Sequence, residues 1–508
     1  MDLPANFMRR GMVTACAVLL TAGAYLVSSG LHRVWWPVWL APLPILFLAS
    51  KLRGWEAFAA AFAARALAGL NFWNYLRQTV QFPLWLALVT ILVPAASFAF
   101  AALFYRGLLR KGHPWLAALA FPVAMVAAEY LFSLSQGTFF NTGYTQLKNL
   151  PVLQLAAITG LWGISFAVNL FPAGLAVLIA APGKLRLRLS AALAACYACI
   201  LSYGLARLNT VPKAPHSVLV GLVETHAGHN IFPSDAQTSI ALMHSYAGQI
   251  QSLAAKGAAF VVLPEMTALV PDSASAKIDA IFQQTARAAH VQVLVGILHV
   301  TGHGAYNEAR LYSANGNIET IYRKHHLVPT WEARSSPGSD ISVLPQPAGK
   351  IGIQICRDLD YPELSRRYGH QHVGLILAPA WDQGIDNQWH GHLALMRAVE
   401  DGFTLVRDAK VGLLTASDDR GRILAEQSTR SDGAFTTMLT TVPVRYDFTL
   451  YQRWGDWFAW VDLAALAALL ALWLSNGNFQ PQRLAQRRNA KSRIETGSVT
   501  VSKSSGSG

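Results

Sequence analysis

Apolar stretches long enough to cross a bilayer recur through the first 206 residues and return once near the C-terminus, and they constrain this chain more than any other feature. A membrane helix needs about 20 predominantly apolar residues. Lipid offers no hydrogen bonds to a bare backbone, so such stretches are read as helices. They run over 11–30, 34–50, 55–70, 84–105, 114–134, 161–181 and 190–206, with an eighth over 457–475. Prolines and the charges Glu56, Arg65 and Glu129 interrupt several of them, which blurs their ends more than their number. Trp35, Trp36 and Trp39, and later Trp454, Trp457 and Trp460, fit aromatic belts at the membrane surfaces, although ordinary packing would also use them.

The formal net charge of +13 follows the same pattern. Arg9, Arg10, Lys51, Arg53, Arg106, Arg110, Lys111, Lys184, Arg186 and Arg188 fall in alternate loops, whereas the intervening loops hold mainly Arg33, Arg77 and Lys148. With the N-terminus in the cytoplasm, seven crossings keep the basic loops inside and place the segment after residue 207 outside. The eighth helix brings Arg483, Arg487, Arg488, Lys491 and Arg493 back to the cytoplasm. The basicity is therefore read as membrane topology, with no nucleic-acid partner. Six further spans follow the first, which has no small-residue cleavage site, so it is expected to stay as an uncleaved helix. The expected division is a transmembrane bundle of seven helices over 1–210, a soluble domain over 214–450, an eighth helix over 455–477 and a basic, disordered tail over 478–508.

Within 214–450 short β-rich runs alternate with amphipathic ones. Ser217–Val223, Ala259–Leu263, Val291–Val300, Ile351–Ile355, Gly374–Leu377 and Thr404–Val406 predict buried strands, and 235–256, 274–290 and 387–401 predict helices. That alternation gives a layered α/β domain whose ligands gather where strands end. Three strand ends carry chemistry: Leu263-Pro264-Glu265, Tyr322-Arg323-Lys324-His325-His326 and Ile355-Cys356-Arg357-Asp358. Taken singly, Glu265 is an ordinary solvated or capping carboxylate and Lys324 part of an exposed basic turn. The ordered set is what signals a site. A thiol is mostly protonated at neutral pH, so a nucleophilic Cys356 needs a base, which Glu265 can supply, and a cation, which Lys324 can supply.

Four cysteines cannot make a disulfide framework for a domain of this size. Cys16, Cys196 and Cys199 fall in expected membrane helices and read as small apolar packing residues, which leaves Cys356 unpaired. Adjacent His325 and His326 face opposite ways on an extended segment and have no third ligand at a suitable spacing, so no metal site is expected.

The ordered set resembles the nitrilase superfamily, and the spans around it resemble its membrane-embedded branch, the apolipoprotein N-acyltransferases. The similarity runs over about residues 10–475 and rests on Gly143-Tyr144-Thr145-Gln146, Leu263-Pro264-Glu265, Lys324-His325-His326-Leu327-Val328-Pro329 with Glu332 beyond, Arg397-Ala398-Val399-Glu400 and Tyr451-Gln452-Arg453-Trp454-Gly455-Asp456-Trp457. It implies a multi-span helical membrane bundle plus an α-β-β-α sandwich domain, in the bacterial inner membrane with the catalytic domain in the periplasm. It implies Glu265 as general base, Lys324 as stabiliser of thiolate and oxyanion, Cys356 as the acylated nucleophile and Glu332 as a second carboxylate in the site. No cofactor is implied. The reaction implied is ping-pong: a phospholipid acylates Cys356, and the thioester passes the chain to the N-terminal amine of a diacylated apolipoprotein.

The chain departs from the family pattern directly after the nucleophile. The family usually has an aromatic residue and a glutamate there, whereas this chain has Arg357 and Asp358, closer to soluble nitrilase-type amidases. Ala380-Trp381-Asp382-Gln383-Gly384-Ile385-Asp386 likewise differs from an Asn-Asp-x-Trp pattern. Arg357 and Asp358 are therefore supporting candidates, and a membrane-anchored amide hydrolase and a non-catalytic lipid-binding scaffold stay open beside the transferase. Trp331, Trp381 and Trp389 are candidates for lining the lipid side of the site, or equally for the core. Asn71, Trp73, Glu129 and Gln136 are either lipid-pathway groups or helix-to-helix hydrogen bonders.

Overall fold

The computed structural model describes residues 5–29, 34–210, 216–225, 235–430 and 433–475. The expected tail over 478–508 lies outside them. Six described helices are long and apolar enough to cross a membrane, the first five being Ala5–Ser28, Leu84–Arg110, Pro114–Gln136, Leu161–Ala180 and Gly183–Asn209, and the last Trp457–Ser475.

The other two expected spans are shorter. The stretch 34–50 forms a single turn, Pro37–Trp39, and the seven-residue helix Leu43–Ala49. Pro42 and Pro44 bring no N–H, so they can stand only at that helix's start. Gly54–Gly69 has 16 residues, about 24 Å at 1.5 Å per residue. That is short of a hydrocarbon core of about 30 Å. Of the seven spans expected ahead of the domain, five are described as single long apolar helices and the other two as shorter helices. Beyond Gly69 the chain runs through the turn Leu70–Phe72 into a π-helical turn, Tyr75–Thr79, which lifts Tyr75 and Leu76 toward the soluble domain. Cys16 and Cys199 lie on exposed helix faces, and not in the packing expected of them.

The soluble domain is built on thirteen strands: β1 His216–Thr225, β2 Phe260–Val262, β3 Leu269–Pro271, β4 Gln292–Thr301, β5 Gly304–Tyr312, β6 Ile318–Arg323, β7 Ser342–Gln346, β8 Gly349–Ile353, β9 Leu375–Trp381, β10 Thr404–Lys410, β11 Leu413–Ser417, β12 Ile423–Ser428 and β13 Phe435–Val444. One sheet has the order β13-β1-β2-β4-β5-β6, with β3 beside β4, and the other β12-β11-β10-β9-β8-β7. Val220, Leu222, Val262, Leu294, Ile351, Ile353, Leu375, Leu377 and Val406 fill the space between the sheets. Helices Ala236–Ala255 and Asp272–Ala289 cover the outer face of the first sheet. Pro362–His370 and Leu395–Asp401 cover the second. The result is the α-β-β-α sandwich. The expected helix over 387–401 is broken in two, Asn387–Leu393 and Leu395–Asp401.

Buried polar contacts hold the sandwich on one end of the bundle. Glu400 Oε1 accepts from the N–H of Leu161 at 2.8 Å, and Thr138 donates to the carbonyl of Asp360 through both N–H and hydroxyl at 2.9 and 2.8 Å. Trp162 Nε1 donates to Asp456 Oδ1 at 2.7 Å. Arg420 joins the two chain crossings, donating to the carbonyl of Arg207 at 3.0 Å and to Asp447 Oδ2 at 2.6 Å.

Candidate active site

Each reactive side chain sits just past a strand end. Glu265 follows β2, where its N–H donates to the carbonyl of Ala380 at 3.2 Å and so links the two sheets. Gly296 on β4 makes this possible, because a Cβ there would come within 2.3 Å of the Pro264 carbonyl and 2.8 Å of Glu265 Cα. Lys324 follows β6, with its N–H on the carbonyl of Asn307 at 2.9 Å and its own carbonyl accepting from Gly338 at 2.9 Å. Cys356 follows β8 by two residues and adopts a φ of 46°, the left-handed region, as it opens the turn Cys356–Asp360. That backbone is costly for a side chain with a Cβ, and such strain concentrates at functional sites.

The buried side chains meet in a tight cluster. Lys324 Nζ lies 2.7 Å from Glu265 Oε1 and 2.7 Å from Glu332 Oε2. Asn307 Nδ2 reaches the same two carboxylates, at 2.6 Å from Glu265 Oε1 and 2.7 Å from Glu332 Oε1. Glu332 also accepts from the N–H of Val328 at 2.7 Å. Burial works to strip the proton from Lys324, but Glu265 and Glu332 outweigh it and hold the ammonium pKa well above its usual value. Burial raises the carboxyl of Glu265, against the pull of Lys324. Cys356 is likewise pushed well up, by burial and then by the charge of Glu265, with Lys324 and Arg407 opposing. The same surroundings thus favour the thiol form of Cys356 and raise the affinity of the Glu265 carboxylate for a proton.

Cys356, Glu265, Lys324 and Glu332 line one open cavity at the junction of the two structural halves. Its other wall comes from the membrane part: Tyr75, Leu76, Phe82, Gln136, Phe139 and Phe140. Trp331 and Trp381 line it and pack edge to face at 5.9 Å, with Trp331 still 42% exposed. Trp389 does not line it. It is only 5% exposed, packs among Phe72, Tyr75, Phe139 and Phe140, and lines a neighbouring cleft inside the bundle instead.

Arg357 and Asp358 separate in role. Arg357 lines the cavity, with Nη1 donating to the carbonyl of Leu327 at 2.5 Å and Nη2 to Tyr361 Oη at 3.0 Å. Asp358 is fully buried beneath the Lys324 turn. It accepts from Tyr322 Oη at 2.7 Å, from the N–H groups of His325, His326 and Ile355 at 3.1, 2.9 and 3.1 Å, and faces His326 Nδ1 at 3.3 Å. Burial alone would raise its pKa, but the bonds from His326 and Tyr322 win and hold it low. The shorter carboxylate thus serves as an anchor for the segment that carries Lys324.

Of the membrane residues singled out, Gln136 lines the cavity. Asn71 instead ties helices together, donating to the carbonyls of Leu26 and Ser29 at 3.1 and 2.8 Å. Trp73 packs against the bundle core. Glu129 accepts from the N–H of Thr142 at 3.2 Å and from its hydroxyl. Asn307 escaped the sequence reading, because a polar residue in the run Tyr306-Asn307-Glu308 gives no sign of a buried strand. The motif Arg397–Glu400 proves to be an anchor between domain and bundle, with the buried pair 2.9 Å apart.

Comparison with known proteins agrees in extent with both halves. Residues 225–444 match the carbon-nitrogen hydrolase family model, and residues 18–174 match that of the apolipoprotein N-acyltransferase N-terminal domain. An apolipoprotein N-acyltransferase of Geobacter metallireducens is 27% identical over 475 residues, 85% of this chain and 90% of that protein. One from Azotobacter vinelandii is 27% identical over 496 residues, 89% of this chain and 93% of that protein. An amidase crystal structure from Nesterenkonia sp. shares 21% identity, spans 47% of this chain and 94% of its own, and has a TM-score of 0.39.

Proposed function

The chain belongs to the apolipoprotein N-acyltransferase family of the nitrilase superfamily, and from that premise we propose that it carries an acyl chain on Cys356 from a phospholipid to the N-terminal amine of a diacylglyceryl-modified apolipoprotein. It is a bacterial membrane enzyme, an N-acyltransferase. In this reading its membrane is the inner one and the sandwich faces the periplasm. The domain limits are those of the four segments above: the bundle to 210, the catalytic domain over 214–450, the last helix over 455–477 and the tail.

In the first half-reaction Glu265 takes the proton of Cys356 as Sγ attacks the ester carbonyl of the phospholipid. The oxyanion that forms is held by Lys324 Nζ and the backbone N–H of Arg357; removing one such donor typically costs about 100- to 1,000-fold in rate. The C–O bond breaks, and the lysophospholipid alkoxide leaves with the proton from Glu265. In the second half-reaction the acceptor amine attacks the thioester and gives its proton to Glu265. Cys356 leaves as thiolate and is reprotonated. Glu332 and Asn307 keep Lys324 and Glu265 in register throughout.

The observation that carries this reading is the shared cavity: one wall holds the carboxylate, ammonium and thiol, and the facing wall is apolar and comes from the membrane half. Bringing an acyl chain into water costs roughly 0.8 kcal/mol per CH₂, so a nucleophile at the bilayer junction suits a lipid donor. The apolar wall also keeps water from the thioester. The test supplies purified protein with a phospholipid bearing a labelled acyl chain, then adds a diacylated lipopeptide. The expected result is a mass gain of one acyl chain on Cys356, discharged onto the lipopeptide amine. Discharge by water alone, with no lipopeptide product, would leave the amide hydrolase suggested by Arg357 and Asp358. No adduct from any ester or amide donor would leave the scaffold.

A further inference from the structure

Arg65 stands one turn before the end of the Gly54–Gly69 helix, inside the bundle, and makes no hydrogen bond or ion pair among the described residues. Its guanidinium lies over the face of the Tyr25 ring, 5.0 Å away, and is within electrostatic reach of Glu129, which lines the second cleft with it. The guanidinium lines two clefts that also share Pro94, Phe140 and Asn141. Ser28 and Asn141 line the first cleft, and Ser28 Oγ and Asn141 Nδ2 are buried there with no partner, while Asn141 Oδ1 accepts from Gly143 and Ser165. The second cleft is lined by Glu129, whose Oε2 is also buried and unpartnered, while its Oε1 is held by Thr142.

The two clefts share Arg65 and Asn141 and differ in their other polar group, Ser28 in the first and Glu129 in the second. One side offers a guanidinium, a hydroxyl and an amide NH₂, which together suit an anion with several acceptor oxygens. The other offers a carboxylate oxygen, which suits a cation. An ionisable group inside a membrane bundle is costly unless it meets a partner. The clefts lie at the end of the bundle that faces the sandwich, since Ser28 and Gly69 end their helices there and Thr138 at that level donates to Asp360. Phe139 and Phe140 line both the first cleft and the cavity of Cys356.

We infer that these clefts form a second lipid site, in which Arg65, Ser28 and Asn141 hold the phosphate and Glu129 the ammonium of a zwitterionic glycerophospholipid, next to the catalytic cavity and separated from it by Phe139 and Phe140. The site is independent of acyl transfer and does not rest on the roles given to Glu265, Lys324 and Cys356.

The test is native mass spectrometry of delipidated full-length Cys356→Ala protein, which cannot turn over. It is titrated with phosphatidylethanolamine, phosphatidylglycerol, diacylglycerol or inorganic phosphate. Arg65→Met is expected to remove one bound phosphatidylethanolamine, weakening that event at least tenfold, whether or not the catalytic cavity holds a lipid of its own. Asn141→Ala should weaken the same event severalfold, and Arg65→Lys should restore part of it. Glu129→Gln should weaken phosphatidylethanolamine and leave phosphatidylglycerol unchanged. Unchanged lipid stoichiometry in both Arg65→Met and Asn141→Ala would overturn the site. So would diacylglycerol binding as tightly as phosphatidylethanolamine, which would remove the headgroup, or inorganic phosphate binding as tightly, which would remove the lipid.

Discussion

Asn307 Nδ2 lies 2.6 Å from Glu265 Oε1, on the same oxygen that Lys324 Nζ approaches at 2.7 Å. The amide and the ammonium each bridge Glu265 and Glu332, so two donors and two carboxylates form a closed ring. The ring fixes where Glu265 and Lys324 stand, and it sets how readily Glu265 takes a proton.

Replacing Asn307 by Leu keeps the branched shape and removes both bridges. Hydrogen bonds to charged groups are worth about 1.5–3 kcal/mol each, and misplaced reacting groups lose rate steeply. Adduct formation on Cys356 should slow by about 10-fold or more. Asn307→Asp separates positioning from folding: a third carboxylate raises the pKa of Glu265 further, so the acid limb of the rate profile should move to higher pH. Stopped-flow acylation across pH reads both, and an unmoved limb in Asn307→Asp would remove Asn307 from the ring's electrostatics.

Glu332→Gln works in the other direction. Burial raises the pKa of Glu265 and the charge of Glu332 adds to that rise. Neutralising residue 332 should therefore lower the pKa of Glu265 and shift the acid limb of acylation to lower pH. The maximum rate should fall as well, because Lys324 loses one of its two anionic partners. A limb that moves upward would contradict the ring as drawn.

The sequence made some of this legible and hid the rest for physical reasons. Glu265, Lys324 and Cys356 could be found because each ends a β-rich run and their residue types fit one chemistry. The buried parallel strands β1, β2, β4, β9 and β10 read clearly, being continuous apolar runs. Strand β5 did not, because Asn307, Glu308 and Arg310 are buried in it through pairing, with Arg310 reaching Asp279 at 2.9 Å and Glu308 at 3.0 Å. Strand β12 is largely exposed and was equally silent. The helix at 43–49 is short because Pro42 and Pro44 can stand only at its start, and the one at 54–69 gives way to the turn Leu70–Phe72 and the π-helical turn Tyr75–Thr79, which hydropathy alone does not mark. Trp389 shows the matching limit, since an aromatic residue looks alike in sequence whichever of two neighbouring cavities it lines.

His326 gives the Lys324 segment a pH dependence. Burial pushes the imidazole down, but Asp358 and Glu363 outweigh it and raise its pKa to about 9. Its ring also stacks on Tyr361 at 3.7 Å. A pKa raised on folding contributes stability that is complete below the unfolded value of about 6.5 and is lost as pH rises through about 9. Asp358 has the opposite sign: its contribution is present above the ordinary carboxylate range and is lost as pH falls through its lowered value. Thermal midpoints should therefore drop on the alkaline side between pH 6.5 and pH 10, on the order of the unfolded and folded imidazole values. His326→Gln should flatten that decline. An equally steep alkaline decline in the variant would place its cause elsewhere.

Arg407 and Asp382 form a two-bond buried pair behind the nucleophile, Nη1 to Oδ2 at 2.8 Å and Nη2 to Oδ1 at 2.5 Å. Asp382 follows Trp381, whose carbonyl lies 3.6 Å from Cys356 Sγ, so the pair stands within electrostatic reach of the thiol. Breaking a buried pair by removing one partner typically costs about 3–5 kcal/mol, because the other charge is left uncompensated. Arg407→Met should therefore lower the thermal midpoint markedly, and adding Asp382→Leu should recover much of the loss. The thiol reports the electrostatics separately. Arg407 pulls the Cys356 pKa down and Asp382 pushes it up. Alkylation of Cys356 should then need higher pH in Arg407→Met and lower pH in Asp382→Asn. Shifts of the same sign in both variants would mean that the pair acts on Cys356 through packing alone.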